Sequence, residues 1–227
     1  MLLLKLEAPF AVFRTFAAGS FRPTAGFITP SAAYGLLLNV AGVEMRHDDG
    51  KSQMTTIKSG LPSINIALAA LEFPLQHSIY QQLHNYPVGS SRKERKTTTK
   101  GNKYNITPAR RSFMSNIKAY IAIKDNDELE NWIIEGLTGR RPRSYGLPFL
   151  GDNNFLIDRL ELVAEPKEAS WFVVVDEAEE KGVRDHITRL TIIIDRANMA
   201  NTKSALFAPV SEPCREIPEK AWVEVGY

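Results

Sequence analysis

The chain has 227 residues, 44% of them hydrophobic and 24% charged, with a formal net charge of +2. These proportions suit a globular protein with one sizeable core and exclude collagen-like and disordered architectures. No apolar run approaches the roughly 20 residues that span a bilayer, and Met1-Leu2-Leu3-Leu4-Lys5-Leu6-Glu7 carries charges inside its apolar stretch, so neither a signal peptide nor a membrane partner is expected. A single cysteine, Cys214, excludes an internal disulfide and a multi-thiolate metal site, which suits a reducing cytoplasm.

Leu2, Leu4 and Leu6 alternate with more polar neighbours, the period of a strand with one buried face. Thr29-Pro30 then supplies an N-cap and a first-turn proline, and Ala33, Leu36, Leu37, Val40 and Ala41 recur at helical spacing until Gly42. Gly35 inside that helix points to tight packing. The run 64–73 is almost wholly apolar and reads as a central strand buried on both faces, although its alanines would also suit a helix. From about 76 to 115 the periodicity fades into a long Thr-rich basic insertion, an extended hairpin or a loop with a task. Alternation returns over 116–124, with Ile117, Ala119, Ile121 and Ile123 on one face. Asp125 with Glu128 then resembles a capping box, and Leu129, Trp132, Ile133 and Leu137 form the buried stripe of a second helix closed by Gly139. A further strand is expected at 156–164.

Strand, helix, strand, strand, helix, strand is the order of the split βαβ or ferredoxin-like unit. The expected fold is therefore α+β. A ferredoxin-like (RNA-recognition-motif-like) domain spans 1–165, with a basic thumb inserted at about 76–115. Apolar runs at 171–175, 190–194 and 221–225 read as a small β-rich C-terminal extension over 166–227.

The charge is lopsided. Eight basic residues (Arg92, Lys93, Arg95, Lys96, Lys100, Lys103, Arg110 and Arg111) face one acid, Glu94, so this arm carries +7 and the other 207 residues −5. Such asymmetry points to a polyanionic partner. Further basic groups are Arg14, Arg22 and the run Arg140-Arg141-Pro142-Arg143, followed by Ser144 and Tyr145. Arginines at a helix exit also oppose the negative end of the helix dipole, so that run has a structural use as well. Thr24, Thr29 and Ser31 place hydroxyls around a helix N-terminus, a ready phosphate site, although Thr29 also serves simply as a cap. The strand 116–124 offers only Tyr120 for base stacking, so an open sheet platform is not the expected mode of RNA binding.

His47, His77, His84 and His186 show no metal-ligand spacing, and Gly151-Asp152-Asn153-Asn154 lacks the calcium-loop pattern. No metal and no cofactor are expected. A metal-independent ribonuclease needs only an acid and a base near a 2′-hydroxyl, a role open to His77 or His84 with Tyr86 and a lysine of the arm.

Leu4-Lys5-Leu6-Glu7-Ala8-Pro9-Phe10, Phe13-Arg14 and the stretch from Arg22-Pro23-Thr24 through Ser31-Ala32-Ala33-Tyr34-Gly35-Leu36-Leu37 resemble the N-terminal signature of the fifth family of CRISPR-associated (Cas) proteins. Leu147-Pro148-Phe149-Leu150-Gly151 resembles that family's second signature, a turn before a strand. The resemblance implies a non-catalytic subunit of a type I CRISPR effector complex, Cascade, for antiviral defence or RNA-guided transposition. It would cap the 5′ handle of the CRISPR RNA, with the thumb bending over the junction between handle and guide. The implied partners are CRISPR RNA, the backbone and large Cascade subunits and, through the complex, target DNA. Where the family often has an arginine after the Leu-Gly turn, this chain has Asp152, and Arg140, Arg141 and Arg143 stand as substitutes. One subtype's member cuts precursor RNA itself, but no local Lys-His pair here matches its site. A basic adaptor that binds DNA or a protein scaffold is a third reading.

Overall fold

The computed structural model describes residues 1–15, 21–48, 50, 55–87, 104–143, 145–175 and 185–227, with backbone alone over 83–87 and 104–107. The fold is α+β, a mostly antiparallel sheet with two 11-residue α-helices among the described residues. β1 (Leu2–Ala11) buries Leu4, Leu6 and Ala8 on one face, as the alternation requires. After the short β2 (Phe21–Arg22), α1 (Pro30–Val40) starts where Thr29 Oγ1 accepts from the Ala32 N–H at 3.2 Å. It ends at Gly42, whose φ of +67° turns the chain. The helix is not amphipathic: nine of its eleven residues are buried, Leu38 and Asn39 included. The reason is tertiary. The sheet curls round so that Leu190, Phe172 and Phe207 join the same core, with Phe172 stacked on Phe27 at 4.2 Å. Gly35 lies 3.6 Å from Met45 Sδ, measured from where a Cβ would sit, so its role is packing.

β3 (Arg46–His47) and β4 (Thr56–Ile57) form a minor hairpin, and β5 (Ile64–Glu72) is the central apolar strand. β6 (Leu75–Pro87) and β7 (Tyr104–Lys124) form the expected long hairpin. β7 has 21 residues and two sets of neighbours. Its C-terminal part lies between β1 and β5, with Ile123 opposite both Leu2 and Ile66, whereas its N-terminal part pairs with β6 from Ser115 to Tyr104. At the junction the β5–β7 register slips, Asn116 takes a φ of +56°, and Glu72 accepts from Asn116 Nδ2 at 3.1 Å and from Lys118 Nζ at 2.7 Å.

α2 (Asp127–Leu137) is capped by Asn126, whose side chain accepts from the Leu129 N–H at 2.9 Å. This corrects the expected cap at Asp125, which instead has a φ of +72° and accepts from Asn65. The next strand, β8 (Arg159–Leu162), is shorter than expected. It pairs with the far side of β1, so four strands run in the order β8-β1-β7-β5.

Beyond 166 the strands β9 (Ser170–Val174), β10 (Thr188–Ile193), β11 (Lys203–Pro209) and β12 (Val223–Val225) continue the same sheet from the outer edge of β5. They also close its second face. Ala67, Ala69 and Ala122 leave room for the fully buried Trp171, whose indole N–H donates to Cys214 O at 3.2 Å. Tyr120 lies beneath Trp171, ring centroids 6.4 Å apart, and its hydroxyl accepts from Lys167 N.

The helices touch closely at Gly136, where an added Cβ would stand 1.9 Å from Val40 O. Backbone cannot yield as a side-chain tip can, so Gly136→Ala is expected to destabilise by roughly 2–3 kcal/mol and to lower Tm by about 5 °C or more. Thermal melting checks this, and an unchanged Tm would show that the helices can separate without loss.

Candidate nucleic-acid interface

The basic residues named from sequence fall into two sets. At the root of the hairpin, β2 runs parallel to β7 with Phe21 opposite Arg110 and Arg22 opposite Arg111. Arg22 and Arg110 are exposed, and Arg110 donates to Ser78 Oγ on the neighbouring strand at 3.1–3.2 Å. Arg14, bridged to Thr24, reaches across to Asp152 Oδ2 at 2.8 Å with its own side chain 74% exposed. Arg111 donates to the same oxygen. The Asp152 carboxylate is fully buried and accepts from the Asn154 N–H and Nδ2 through its other oxygen. One acid therefore ties together β1's exit, the hairpin root and the turn after Leu150-Gly151. Gly151 permits this approach, since a Cβ there would lie 2.2 Å from Val12 O.

The second set lies at the C-terminal ends of the helices. Arg141 donates to Ala41 O at 2.5 Å and lies 4.4 Å from the Trp132 ring, opposing the negative end of α1 as its dipole favours. Arg140 is exposed and donates to Thr138 Oγ1 at 3.1 Å, and Arg143 is exposed along an open groove of about 510 Å³. Tyr145 donates from its hydroxyl to Val43 O, with the Arg46 guanidinium 5.3 Å from its ring. Burial pushes the Tyr145 phenol up to about 12, with Glu44 acting in the same direction, so it remains a protonated donor at neutral pH.

Thr24, Thr29 and Ser31 are buried, and the threonine hydroxyls have structural work. Thr24 Oγ1 accepts from Phe13 N, while Thr29 Oγ1 caps α1 and bonds Ser31 Oγ at 3.1 Å. A groove joining them to Arg140, Arg141 and Arg143 does not form directly. Thr29 and Ala41 mark opposite ends of α1, about 18 Å apart by its rise. Arg92, Lys93, Arg95, Lys96, Lys100, Lys103 and Ser144 lie outside the described residues, as do the side chains of His84 and Tyr86. His77 Nε2 shares a 2.7 Å hydrogen bond with Ser115 Oγ. Among the described residues no group of three His, Cys, Asp or Glu is placed to hold a metal, and no helix is long and apolar enough to cross a membrane. Sequence reasoning missed Asp152 as the hub of the first set. Its one signal was an acid directly after a Leu-Gly turn, and the partners that give it meaning are 41 and 138 residues away.

A family profile described as CRISPR-associated protein (Cas_Cas5) matches residues 1–197. The chain belongs to the Cas5 family. No curated protein matches it. Among solved structures, a chain of a CRISPR RNA-guided surveillance complex is similar over 97% of this chain and 92% of its own, with a TM-score of 0.58 at 12% identity. A second, described as the crystal structure of a Cas protein, covers 96% and 97% with a TM-score of 0.48 at 13% identity. The first likeness extends to the fold, so the Cas5 assignment rests on the family match.

In this Cas5 chain, burial raises the Asp152 carboxyl, but Arg14, the Asn154 N–H and the charge of Arg111 outweigh it and hold the group below its ordinary 3.8. The unfolded chain thus binds the proton first. The stabilisation is complete above about pH 4 and is lost as pH falls through the depressed folded value. Asp152→Asn is expected to cost about 1–3 kcal/mol at neutral pH, with the gap from wild type closing toward pH 3. Melting curves across that range check this, and a gap independent of pH would rule out the carboxylate as its source.

Proposed function

We propose that this Cas5-family chain is a non-catalytic RNA-binding subunit of a type I CRISPR effector complex. It would hold the 5′ handle of the CRISPR RNA within a cytoplasmic ribonucleoprotein, beside backbone and large subunits, and meet target DNA only through that assembly. The observation that carries this reading is the basic root of the hairpin, where exposed Arg22 lies opposite Arg111 and beside exposed Arg110, the last two basic residues of an arm of net +7, in a chain of this family. The strand order β8-β1-β7-β5, with helices following β1 and β7, supports a ferredoxin-like core from which the hairpin projects as a thumb. The burial of Tyr120 under Trp171 favours RNA held by the hairpin root over RNA stacked on the sheet. The contacts on this reading are Arg22, Arg110, Arg140 and Arg143 with the arm. The non-catalytic role is supported by His77, whose ring lies on Phe113 and whose Nε2 is engaged by Ser115.

Each phosphate contact removed should lower the slope of log K against log salt by about 0.7 on single-stranded RNA. Purification with the neighbouring genes is expected to yield short RNA sharing one 5′ end. Replacing Arg22 and Arg110 by alanine should lower both affinity and salt slope. Unchanged binding would sink the placement, and site-specific cleavage of repeat RNA by the pure chain in EDTA would sink the non-catalytic role.

A further inference from the structure

We propose that four aromatic side chains at the hairpin root form a seat on which an unpaired base of the bound RNA stacks. This rests on the RNA-binding reading above and adds a base contact to its phosphate contacts. Phe155, Phe10, Phe113 and His77 form a continuous run, with ring centroids 6.4 Å, 5.7 Å and 5.2 Å apart in that order. They come from the turn after Asp152, the end of β1, β7 and β6, and the pairing of Leu75 and Phe10 with Ser115 brings the strands together. None of the four belongs to either apolar core. Phe10 is 45% exposed and His77 is exposed, and Ile79, opposite Arg111, adds apolar surface that is 47% exposed.

Aromatic surface left outside a core, in a protein that buries Phe13, Phe27, Phe172 and Trp171 fully, needs an occupant. The charges around it select one. The Arg111 guanidinium lies 5.9 Å from the Phe155 ring, and Arg14 meets Arg111 on Asp152, a buried acid with both oxygens engaged. Rings bordered by guanidinium groups match the two parts of a nucleotide, a base with a π-face and a phosphate. A purely apolar protein segment would leave the net positive charge of the Arg14–Arg111–Asp152 cluster unanswered.

The test uses the full chain with eight-nucleotide oligouridine and oligoadenosine RNAs, each also prepared with one 2-aminopurine. Stacking quenches the 2-aminopurine fluorescence. Phe10→Leu and Phe113→Leu keep apolar bulk but remove the ring, and each is expected to weaken binding about tenfold and restore fluorescence with the salt slope unchanged. Phe10→Tyr should bind as wild type does. Equal binding and quenching by wild type and both leucine variants would overturn the seat while leaving phosphate binding intact. Absence of any RNA binding by the wild-type chain would overturn the RNA-binding reading itself. Should a variant melt early, ultraviolet crosslinking of wild type to oligouridine decides the matter. Adducts on peptides containing Phe10, Phe113 or Phe155 support the seat, and adducts confined elsewhere reject it. Loss of a partner subunit with RNA binding retained would make the patch a protein contact and also reject it.

Discussion

The structure depends on one strand doing two jobs. β7 is hydrogen-bonded on both sides within the sheet and then, past Asn116, becomes one side of the hairpin. A strand's side chains alternate strictly, so a slip of one residue inside the sheet would send Ile117, Ala119, Ile121 and Ile123 to the wrong face. The buried part therefore fixes the register of the projecting part. The left-handed Asn116, with Glu72 holding Asn116 and Lys118, absorbs the change of direction without releasing that register. Arg110 and Arg111 at the root are held in register with the core because they belong to the strand that runs through it.

The second constraint is that both faces of the sheet are closed. The helices cover one, and the chain after 166 covers the other with Trp171 lying over a floor of alanines. With the faces occupied, the exposed functional surface moves to the margin, where the hairpin, β2 and the turn around Asp152 meet. A helix buried on every side, as α1 is, cannot shift easily, so this margin is built on a rigid support.

Much of this architecture was legible because its signals are local. The alternation of Leu2, Leu4 and Leu6, the Thr29-Pro30 start, the apolar run of β5 and the alternation before Lys124 all specify their own elements. The elements that escaped notice depend on distant partners. β11 carries no clean period, and two-residue strands such as β2 have none to show. The full burial of α1 follows from β10 folding over it, which no helical stripe records. For the candidate site the basic residues could be named but not grouped. Arg141 turned inward to Ala41, Thr29 was spent on capping α1 and Thr24 on the Phe13 N–H, and Asp152 drew together residues far apart in sequence. The aromatic run at the hairpin root was invisible for the same reason, since its members come from four separate segments. Residues 88–103, which supplied most of the charge signal, lie outside the described residues.

The shared carboxylate of Asp152 changes how the positive charge of this margin should be counted. Arg14 and Arg111 together present one net positive unit, because the fixed internal anion already balances one of the two guanidiniums. A polyanion arriving there exchanges one acceptor for another instead of meeting a bare cation. The gain from charge alone is correspondingly small, and indiscriminate attraction is damped. Shape and base contacts then weigh more heavily in deciding which strand remains, so a buried acid in a basic surface acts as a filter on its partners.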